Sequence, residues 1–192
     1  MEKIYLGDAG VKVSPAVYGF YRWDEAYNAN DLKKIVNLCL ELGINTFEHS
    51  NSYGSYQLES MFGNLLTEGV FKRENVVLFT KCGLKTPHEQ NQDIRVKHYD
   101  TSAAHIIESV ELSLRNLKTD YIDVFLLDRL DPISNLEETA LTLDKLKDSG
   151  KIKNIGVSNF SVFQHQLLAS YLTKPIVTNH IELNLLNTQA ID

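Results

Sequence analysis

Short apolar runs alternate along the chain with longer segments in which apolar residues recur at helical spacing. Segments 4–6 and 11–13 flank a Gly-Asp-Ala-Gly turn and predict an N-terminal hairpin. Further runs are short and rich in β-branched and aromatic residues, which is typical of buried strands. These predicted strands are 15–20, 45–48, 76–80, 121–127, 152–157 and 176–179.

Helices are predicted between the strands, over 30–42, 57–66, 103–117 and 134–150, with a last helix from 161. Asn30 is the expected cap of the first helix, and Gly43 is its expected stop. Two S-x-x-E/Q patterns predict capping boxes. They are Ser134 with Glu137, and Ser161 with Gln164.

Strict alternation of strand and helix predicts a parallel sheet with right-handed crossovers. Such a sheet can be either an open, doubly wound sheet or a closed barrel. A doubly wound sheet usually carries a glycine-rich phosphate turn, and neither GxGxxG nor GxxxxGK[ST] occurs in the chain. A TIM (β/α)8 barrel needs no such turn, because its site is built from many strand ends. Polar residues follow successive strands here and favour the barrel: Glu48, Lys81, Asp128, Ser158 and Asn179.

Composition and charge narrow the class of protein. The 192 residues include 43% hydrophobic and 23% charged residues and carry a net charge of −6, which argues against a nucleic-acid binder. Cys39 and Cys82 form no CxxC pair and the histidines show no ligand spacing, so no metal site is expected. A signal peptide and an apolar run of about 18 residues are both missing, so we expect a cytoplasmic protein without a membrane partner.

Four segments together resemble the aldo-keto reductase family, in the right order along the whole chain. The stretch 43–54, followed by Glu59 and Gly63, is similar to the family's second-strand signature. Lys81 in the segment LFTKCG matches its third-strand lysine. Segments 114–132 and 150–160 are similar to its fourth-strand and fifth-strand segments.

The resemblance implies a TIM barrel whose base is capped by the N-terminal hairpin, and NADP(H)-dependent reduction of a small-molecule carbonyl compound. Tyr53 would be the general acid that protonates the carbonyl oxygen. Lys81 would lower the pKa of that phenol and would itself be held by Glu48. The other implied contacts are Ser158, Asn159 and His180 for the nicotinamide carboxamide, and Phe20 and Tyr21 for the nicotinamide and substrate side.

Two of the four catalytic positions implied by the resemblance depart from the family pattern. The family has Asp at position 48 and His at position 128, where this chain has Glu48 and Asp128. Glu48 keeps the charge but extends the carboxylate by about 1.5 Å, and a misplacement of about 1 Å can cost about 100-fold in rate. An ionised Asp128 would repel the developing oxyanion, whereas a protonated one would donate a hydrogen bond to it.

Simpler structural interpretations remain open for several of these residues. Ser158 and Asn159 could cap the helix that starts at Ser161. Cys82 is expected to be a small buried hydrophobic residue. The histidines outside the site are expected to be ordinary surface or core residues, namely His49, His88, His98, His105 and His165.

Three functional hypotheses remain. The first is an NADP(H)-dependent reductase that acts through Tyr53 and Lys81. The second is a catalytically impaired relative that binds nucleotide or regulates a partner. The third is a lyase or isomerase that acts on phosphorylated metabolites and has the same barrel fold. No sequence motif supports this third hypothesis.

The length bears on the completeness of the barrel. Eight strands and helices typically need about 250 residues, and only six barrel strands are predicted within the 192 residues. We therefore expect one domain over residues 1–192 that is truncated at its C-terminus. The missing loops commonly hold a phosphate in such barrels, and the family uses them for the cofactor's phosphates.

Overall fold

A six-stranded parallel sheet organises the fold. The structure is a computed structural model that describes residues 1–7, 10–23, 27–88 and 93–188. An N-terminal antiparallel hairpin, β1 (Ile4–Leu6) with β2 (Val11–Val13), precedes the sheet. The strands of the sheet are β3 (Tyr18–Gly19), β4 (Thr46–Glu48), β5 (Val77–Cys82), β8 (Val124–Asp128), β9 (Ile155–Ser158) and β10 (Ile176–His180). Their order across the sheet is β10-β9-β8-β5-β4-β3.

Helices cover the outer face of this sheet. They are α1 (Ala29–Glu41), α3 (Leu58–Thr67), α4 (Ala103–Leu117), α5 (Leu136–Asp148) and α6 (Val162–Tyr171), with a 3₁₀ turn at Arg73–Asn75. The short segment α2 (Tyr53–Tyr56) follows β4 at the carboxyl end of the sheet and contains left-handed residues. Each strand of the sheet before β10 is followed by a helix, which confirms the predicted alternation. Among the described residues, no helix is long and apolar enough to cross a membrane.

The sheet is curled, and its two faces carry different clusters of apolar residues. Inward-facing Phe79, Val124 and Leu126 pack with Val13 of the hairpin, which closes the base of the sheet. Outward-facing residues such as Phe125 and Val157 pack against the helices. The expected architecture, an incomplete (β/α) barrel with its base capped by a hairpin, is therefore confirmed for the described residues.

Two predicted helix caps were wrong by one or two positions. Asn28, rather than Asn30, caps α1, and its capping box is closed by Asp31. Asn135, rather than Ser134, caps α5 by accepting a hydrogen bond from the Glu138 N–H. The Ser161–Gln164 capping box is confirmed. Asn and Ser are almost equally good caps, so the sequence could not choose between neighbouring candidates.

The first barrel strand is shorter than the predicted run 15–20. Only Tyr18 and Gly19 pair with Phe47 and Glu48. Earlier in the run, Pro15 has no N–H for a ladder bond. The Ser14 N–H instead bonds to Thr46 Oγ1 at 3.0 Å. A side-chain contact therefore replaces the first rung of the ladder.

A second hairpin, β6 (Leu84–Lys85) with β7 (His98–Tyr99), was not predicted. Strands of only two residues show no detectable alternation, so the sequence gives no periodic signal there. This hairpin extends β5 beyond the carboxyl end of the sheet. It therefore forms part of the wall around the site described below.

Glu59 is a buried carboxyl between α3 and the outer face of the sheet. It is 2% exposed, and the Thr80 hydroxyl donates to its Oε1 at 2.6 Å. Burial raises the pKa of Glu59, and the hydrogen bond from Thr80 opposes that rise. Because the folded state holds this proton more tightly than the unfolded state, the contribution of Glu59 to stability is greatest below the unfolded pKa and is lost as pH rises through the folded pKa.

We expect Glu59→Gln to remove this decline with pH. The neutral amide has no charge to desolvate. Above the folded pKa, the free energy of unfolding of the variant should therefore exceed that of the wild type by about 1 kcal/mol, or about 2–4 °C in Tm. Thermal unfolding followed by circular dichroism from pH 4.5 to 8 measures the effect. Glu108→Gln, at an exposed position on α4, is the matched control. Parallel pH curves for wild type and Glu59→Gln would contradict the prediction.

Candidate active site

Polar side chains gather where the parallel strands end. Glu48, Lys81, Asp128, Ser158 and His180 are the terminal or near-terminal residues of β4, β5, β8, β9 and β10. Asp128 lies opposite Ser158, and Ser158 lies opposite His180 in the ladder. The carboxyl ends of parallel strands meet at one edge, so the predicted set forms one site at the mouth of the curled sheet.

Glu48, Lys81 and Tyr53 form the centre of the site. The Lys81 ammonium makes an ion pair with Glu48 Oε1. The Tyr53 phenol donates to the same oxygen at 3.3 Å. The Lys81 Nζ also lies 4.9 Å from the centre of the Tyr53 ring. The expectation that Glu48 holds Lys81 is therefore matched by the geometry, but Glu48 also binds the phenol directly.

Gly19 provides the room for the longer side chain of Glu48. A Cβ at position 19 would lie 3.0 Å from Glu48 Oε2, closer than ordinary van der Waals contact. Gly19 is also paired with Glu48 in the ladder between β3 and β4. The extra methylene of Glu48 relative to aspartate is therefore accommodated next to a residue that has no side chain.

The expected lowering of the Tyr53 pKa is wrong for this arrangement. Burial raises the pKa of the phenol, and the negative charge of Asp128 and the neighbouring Tyr21 raise it further. The cation of Lys81 is paired with Glu48, and the effects that raise the pKa of Tyr53 outweigh its charge. The sequence suggested the partner of Tyr53 but not the balance of charge around it.

Lys81 loses much of its basicity because it is buried. It is 7% exposed, and burial lowers the pKa of its ammonium to about 8, although Asp128 acts in the opposite direction. Lys81 is thus mostly protonated at neutral pH and loses its charge within the range in which an assay can be run.

Asp128 is held by the residues that were expected to bind the nicotinamide. Its Oδ1 accepts hydrogen bonds from Ser158 Oγ at 3.1 Å and from Asn159 Nδ2 at 3.4 Å. Asn159 has a left-handed backbone, with φ of 58°, which turns its side chain back towards the mouth. The alternative that Ser158 and Asn159 cap the next helix is wrong, because Ser161 caps it.

Arg129 points away from the acid that precedes it. Its φ of 64° is also left-handed, and its guanidinium lies 6.0 Å from the centre of the Tyr99 ring in the second hairpin. Arg129 is thus directed towards the hairpin wall, on the side of the strand opposite to Asp128.

His180 completes this side of the site. Its ring stacks on Phe79 at 5.5 Å, and its carbonyl accepts the Asn159 N–H at 2.7 Å. Burial and the charge of Lys81 lower the pKa of His180 to about 4, so the ring is neutral at pH 7. Asn179, the polar residue expected at this strand end, instead bonds to the backbone of Phe160.

Of the two aromatic residues expected to line the substrate side, one is misassigned. Phe20 is 1% exposed, and its ring packs among Tyr18, Phe47 and Phe62 behind the sheet. It therefore cannot line the mouth. Tyr21 is exposed, and its ring meets that of Tyr53 edge-on at 5.7 Å. Alternation along the chain predicts this difference, because neighbouring residues point to opposite sides.

Histidine and cysteine residues near the site belong to the core. His49 is fully buried between the rings of Phe20 and Phe62, and burial lowers its pKa to about 3. Cys82 is buried as predicted, and burial raises the pKa of its thiol to about 12. Among the described residues, no group of histidine, cysteine and acidic side chains could hold a metal ion.

Sequence reasoning missed Tyr56, which lies in the turn directly after Tyr53. Its hydroxyl accepts the Thr86 N–H at 3.1 Å and lies 3.0 Å from Thr86 Oγ1. A lone tyrosine three residues after another carries no periodic signal, so the pattern of the chain did not single it out.

Fold and site together define an incomplete (β/α) barrel with a polar site at the carboxyl ends of its strands, and comparison with known proteins gives the family. Residues 16–191 match the model of the aldo/keto reductase family. The chain belongs to the aldo/keto reductase family.

Individual relatives agree with this assignment. The chain is 42% identical to the uncharacterized oxidoreductase YcsN of Bacillus subtilis over 96% of its own length and 61% of that protein. It is 40% identical to the 6-dehydroglucose reductase of Agrobacterium fabrum over 98% of the chain and 64% of that protein. Among solved structures, the holo form of aldo-keto reductase AKR11C1 from Bacillus halodurans matches with a TM-score of 0.79 and 29% identity, over 95% of this chain and 58% of that one. The chain thus spans less than two thirds of the length of these relatives.

Proposed function

We propose that the protein reduces an aldehyde or ketone group of a small molecule with NADP(H), and that Tyr53 donates the proton. The observation that supports this proposal best is the contact of the Tyr53 phenol and the Lys81 ammonium with one carboxylate oxygen of Glu48. A proton donor, a cation and the anion that holds the cation thus meet at the mouth of a barrel. Membership of a reductase family supports the same chemistry.

The arrangement can move a proton to a carbonyl oxygen. When hydride reaches the carbonyl carbon, negative charge develops on the oxygen, and a phenol within reach supplies the proton. The phenolate left on Tyr53 would be stabilised by the charge of Lys81, 4.9 Å from the ring centre. Glu48 keeps that ammonium in place. Tyr21, exposed beside Tyr53, would contact the substrate.

The residues at the ends of β8, β9 and β10 suit a nicotinamide carboxamide. The Ser158 hydroxyl and the Asn159 amide are donors for a carbonyl oxygen, and the Asp128 carboxylate is an acceptor for an amide N–H. His180 is neutral and offers one ring nitrogen as donor and the other as acceptor. When bound, the nicotinamide supplies the hydride. The chain's own residues would fix its orientation and move the proton.

A catalytically impaired nucleotide-binding or regulatory protein is the second candidate. The observation that favours it is the hydrogen bond from Tyr53 to Glu48, which directs the phenolic proton to a carboxylate rather than to a substrate. The raised pKa of Tyr53 points the same way, because it makes the phenol a weaker acid.

Two measurements on the purified chain separate these candidates. The first follows the loss of NADPH absorbance with a panel of aldehydes and ketones that includes 6-dehydroglucose, the compound in the name of the Agrobacterium relative. The second titrates NADPH and NADH by fluorescence without substrate. Turnover supports the reductase, and binding of cofactor without turnover supports the impaired protein. The absence of both turnover and binding would refute both proposals.

The proposed role of Lys81 predicts how the reduction depends on pH. Protonated Lys81 is needed beside Tyr53, and its pKa is lowered to about 8. We therefore expect kcat to be constant near pH 6–7 and to fall about tenfold for each unit above the pKa. A pH profile with saturating cofactor measures this. In Lys81→Arg, which stays charged, the fall near pH 8 should vanish, and an unchanged profile would contradict the assignment.

A further inference from the structure

The backbone directly after Tyr53 adopts a conformation that side-chain-bearing residues rarely adopt. Gly54, Ser55 and Tyr56 all have positive φ, at 54°, 55° and 66°. For Gly54 this is easy, but at Ser55 and Tyr56 the Cβ approaches the following carbonyl oxygen, which is unfavourable for L-residues. Two such residues in succession need contacts elsewhere that hold them.

The Tyr56 hydroxyl makes those contacts on the far side of the turn. It accepts from the Thr86 N–H at 3.1 Å and donates to either the Thr86 carbonyl at 3.1 Å or Oγ1 at 3.0 Å. Thr86 directly follows β6, which is paired with β7 and continues from the central strand β5. The Tyr56 side chain therefore fastens the turn to the wall of the site, through its hydroxyl on Thr86 and through its ring, whose centre lies 5.5 Å from that of His88.

The chain before Tyr53 is fastened separately. The Asn51 N–H donates to the Lys81 carbonyl at 3.2 Å, and the Asn51 amide donates to Ser109 Oγ on α4 at 3.3 Å. Tyr53 thus lies between a fixed point at position 51 and a fixed point at position 56. The second of these is the Tyr56 side chain, whose hydroxyl bonds to Thr86.

We propose that Tyr56 is a positioning residue for Tyr53: its hydroxyl, bound to Thr86, holds the left-handed turn 54–56 and so keeps the Tyr53 phenol at the Glu48–Lys81 pair. The proposal rests on the proposed role of Tyr53 in proton transfer. Tyr56 does not itself touch the reacting groups, because its hydroxyl is engaged with Thr86.

Tyr56→Phe removes the hydroxyl and keeps the ring. We expect the turn to relax towards right-handed φ, so that the Tyr53 phenol moves away from Glu48. A displacement of about 1 Å can cost about 100-fold in rate, so kcat should fall about 10- to 100-fold. The Kd for NADPH should change less than about twofold, because Ser158, Asn159 and His180 are on other strands.

A second substitution distinguishes positioning from a general loss of packing. Ser55→Gly makes the left-handed conformation easy at that residue without restoring the lost hydrogen bonds. The double variant Tyr56→Phe/Ser55→Gly should therefore recover at least about threefold in kcat over Tyr56→Phe. A merely structural defect at Tyr56 would not be repaired by a glycine next to it.

The decisive readout is independent of turnover. In protein labelled with carbon-13 at the tyrosine Cζ, the signal of Tyr53, identified with Tyr53→Phe, reports its titration between pH 7 and 11. Burial and Asp128 raise the pKa of Tyr53 in the wild type. In Tyr56→Phe that pKa should fall towards 10, and in the double variant it should rise again. Tyr5→Phe, at an exposed tyrosine of the N-terminal hairpin, is the matched control.

Each result decides something. A Tyr53 titration unchanged by Tyr56→Phe would overturn the proposal, with or without turnover. If Tyr56→Phe shifts the Tyr53 titration and the added Ser55→Gly substitution reverses the shift, the proposal is supported. If Ser55→Gly does not reverse the shift, Tyr56 contributes packing alone and the positioning role is refuted. If the wild type shows no turnover, the proposed reductase function fails, while the titration still decides the role of Tyr56. If Tyr56→Phe does not fold, the single variant Ser55→Gly should still raise the pKa of Tyr53 and give a sharper titration curve. A lowered Tyr53 pKa in Ser55→Gly would overturn the proposal.

Discussion

Replacing Tyr53 with phenylalanine should lower kcat for carbonyl reduction by about 10²- to 10⁴-fold, the range in which a lost general acid usually costs rate. The ring of the variant still fills the space beside Tyr21 and over Lys81. Only the phenolic proton is lost, so the affinity for NADPH should stay within about twofold. Steady-state kinetics with saturating NADPH, together with a fluorescence titration of the cofactor, measure both quantities.

Tyr5→Phe is the control for this experiment, because it removes a hydroxyl from the hairpin at the opposite end of the sheet. Its kinetics should equal those of the wild type. A Tyr53→Phe variant that keeps more than about a third of the wild-type kcat would refute the assignment of Tyr53 as the proton donor. The proton would then have to come from another group at the mouth or from water.

Replacing Asp128 with histidine should raise aldehyde reduction at least about tenfold. An ionised carboxylate about 4 Å from the developing oxyanion costs roughly 4 kcal/mol at an effective dielectric constant near 20, which is about three decades in rate. Removing this charge also removes one of the causes that raise the pKa of Tyr53. Both effects favour transfer of the phenolic proton. Single-turnover rates with saturating NADPH and a simple aldehyde are the measurement.

Asp128→Asn separates the loss of charge from the gain of an imidazole. It should recover part of the increase if repulsion limits the rate, and none if the imidazole itself is what the site needs. Asp120→His makes the same exchange at an exposed position before β8, at the other end of the strand, and should have no effect. No gain in Asp128→His at saturating cofactor would mean that this position does not limit turnover.

The fold was predictable because its signals are strong and repeated. Apolar runs such as Val76–Thr80 and the helical face of Ile106, Val110 and Leu114 set strand and helix type before any contact is known. Alternation of the two then implies a parallel sheet, and its strand ends must share an edge. The set Glu48, Lys81, Asp128 and Ser158 followed from that geometry. The hairpin β6–β7 did not, because two-residue strands carry no period.

The chemistry of the site was less predictable because it depends on distances and burial. The motif indicated that Tyr53 and Lys81 are neighbours, but the place of the Glu48 oxygen between them depends on one methylene and on Gly19. The direction of the Tyr53 pKa depends on how deeply the ring is buried, which a sequence does not give. Phe20 was assigned to the mouth by its position after a strand, whereas its ring faces the helices.

The hairpin that closes the base of the sheet also restricts where protons come from. Below Lys81 the interior is filled by Phe79, Val124 and Leu126 and sealed by Val13, all of them almost inaccessible to water. In the part of the chain that the structure describes, this floor offers no polar route from the base to the site. A proton that Tyr53 gives away would then not be replaced through the base, and would have to come from the mouth or from the open side of the sheet between its edge strands β10 and β3.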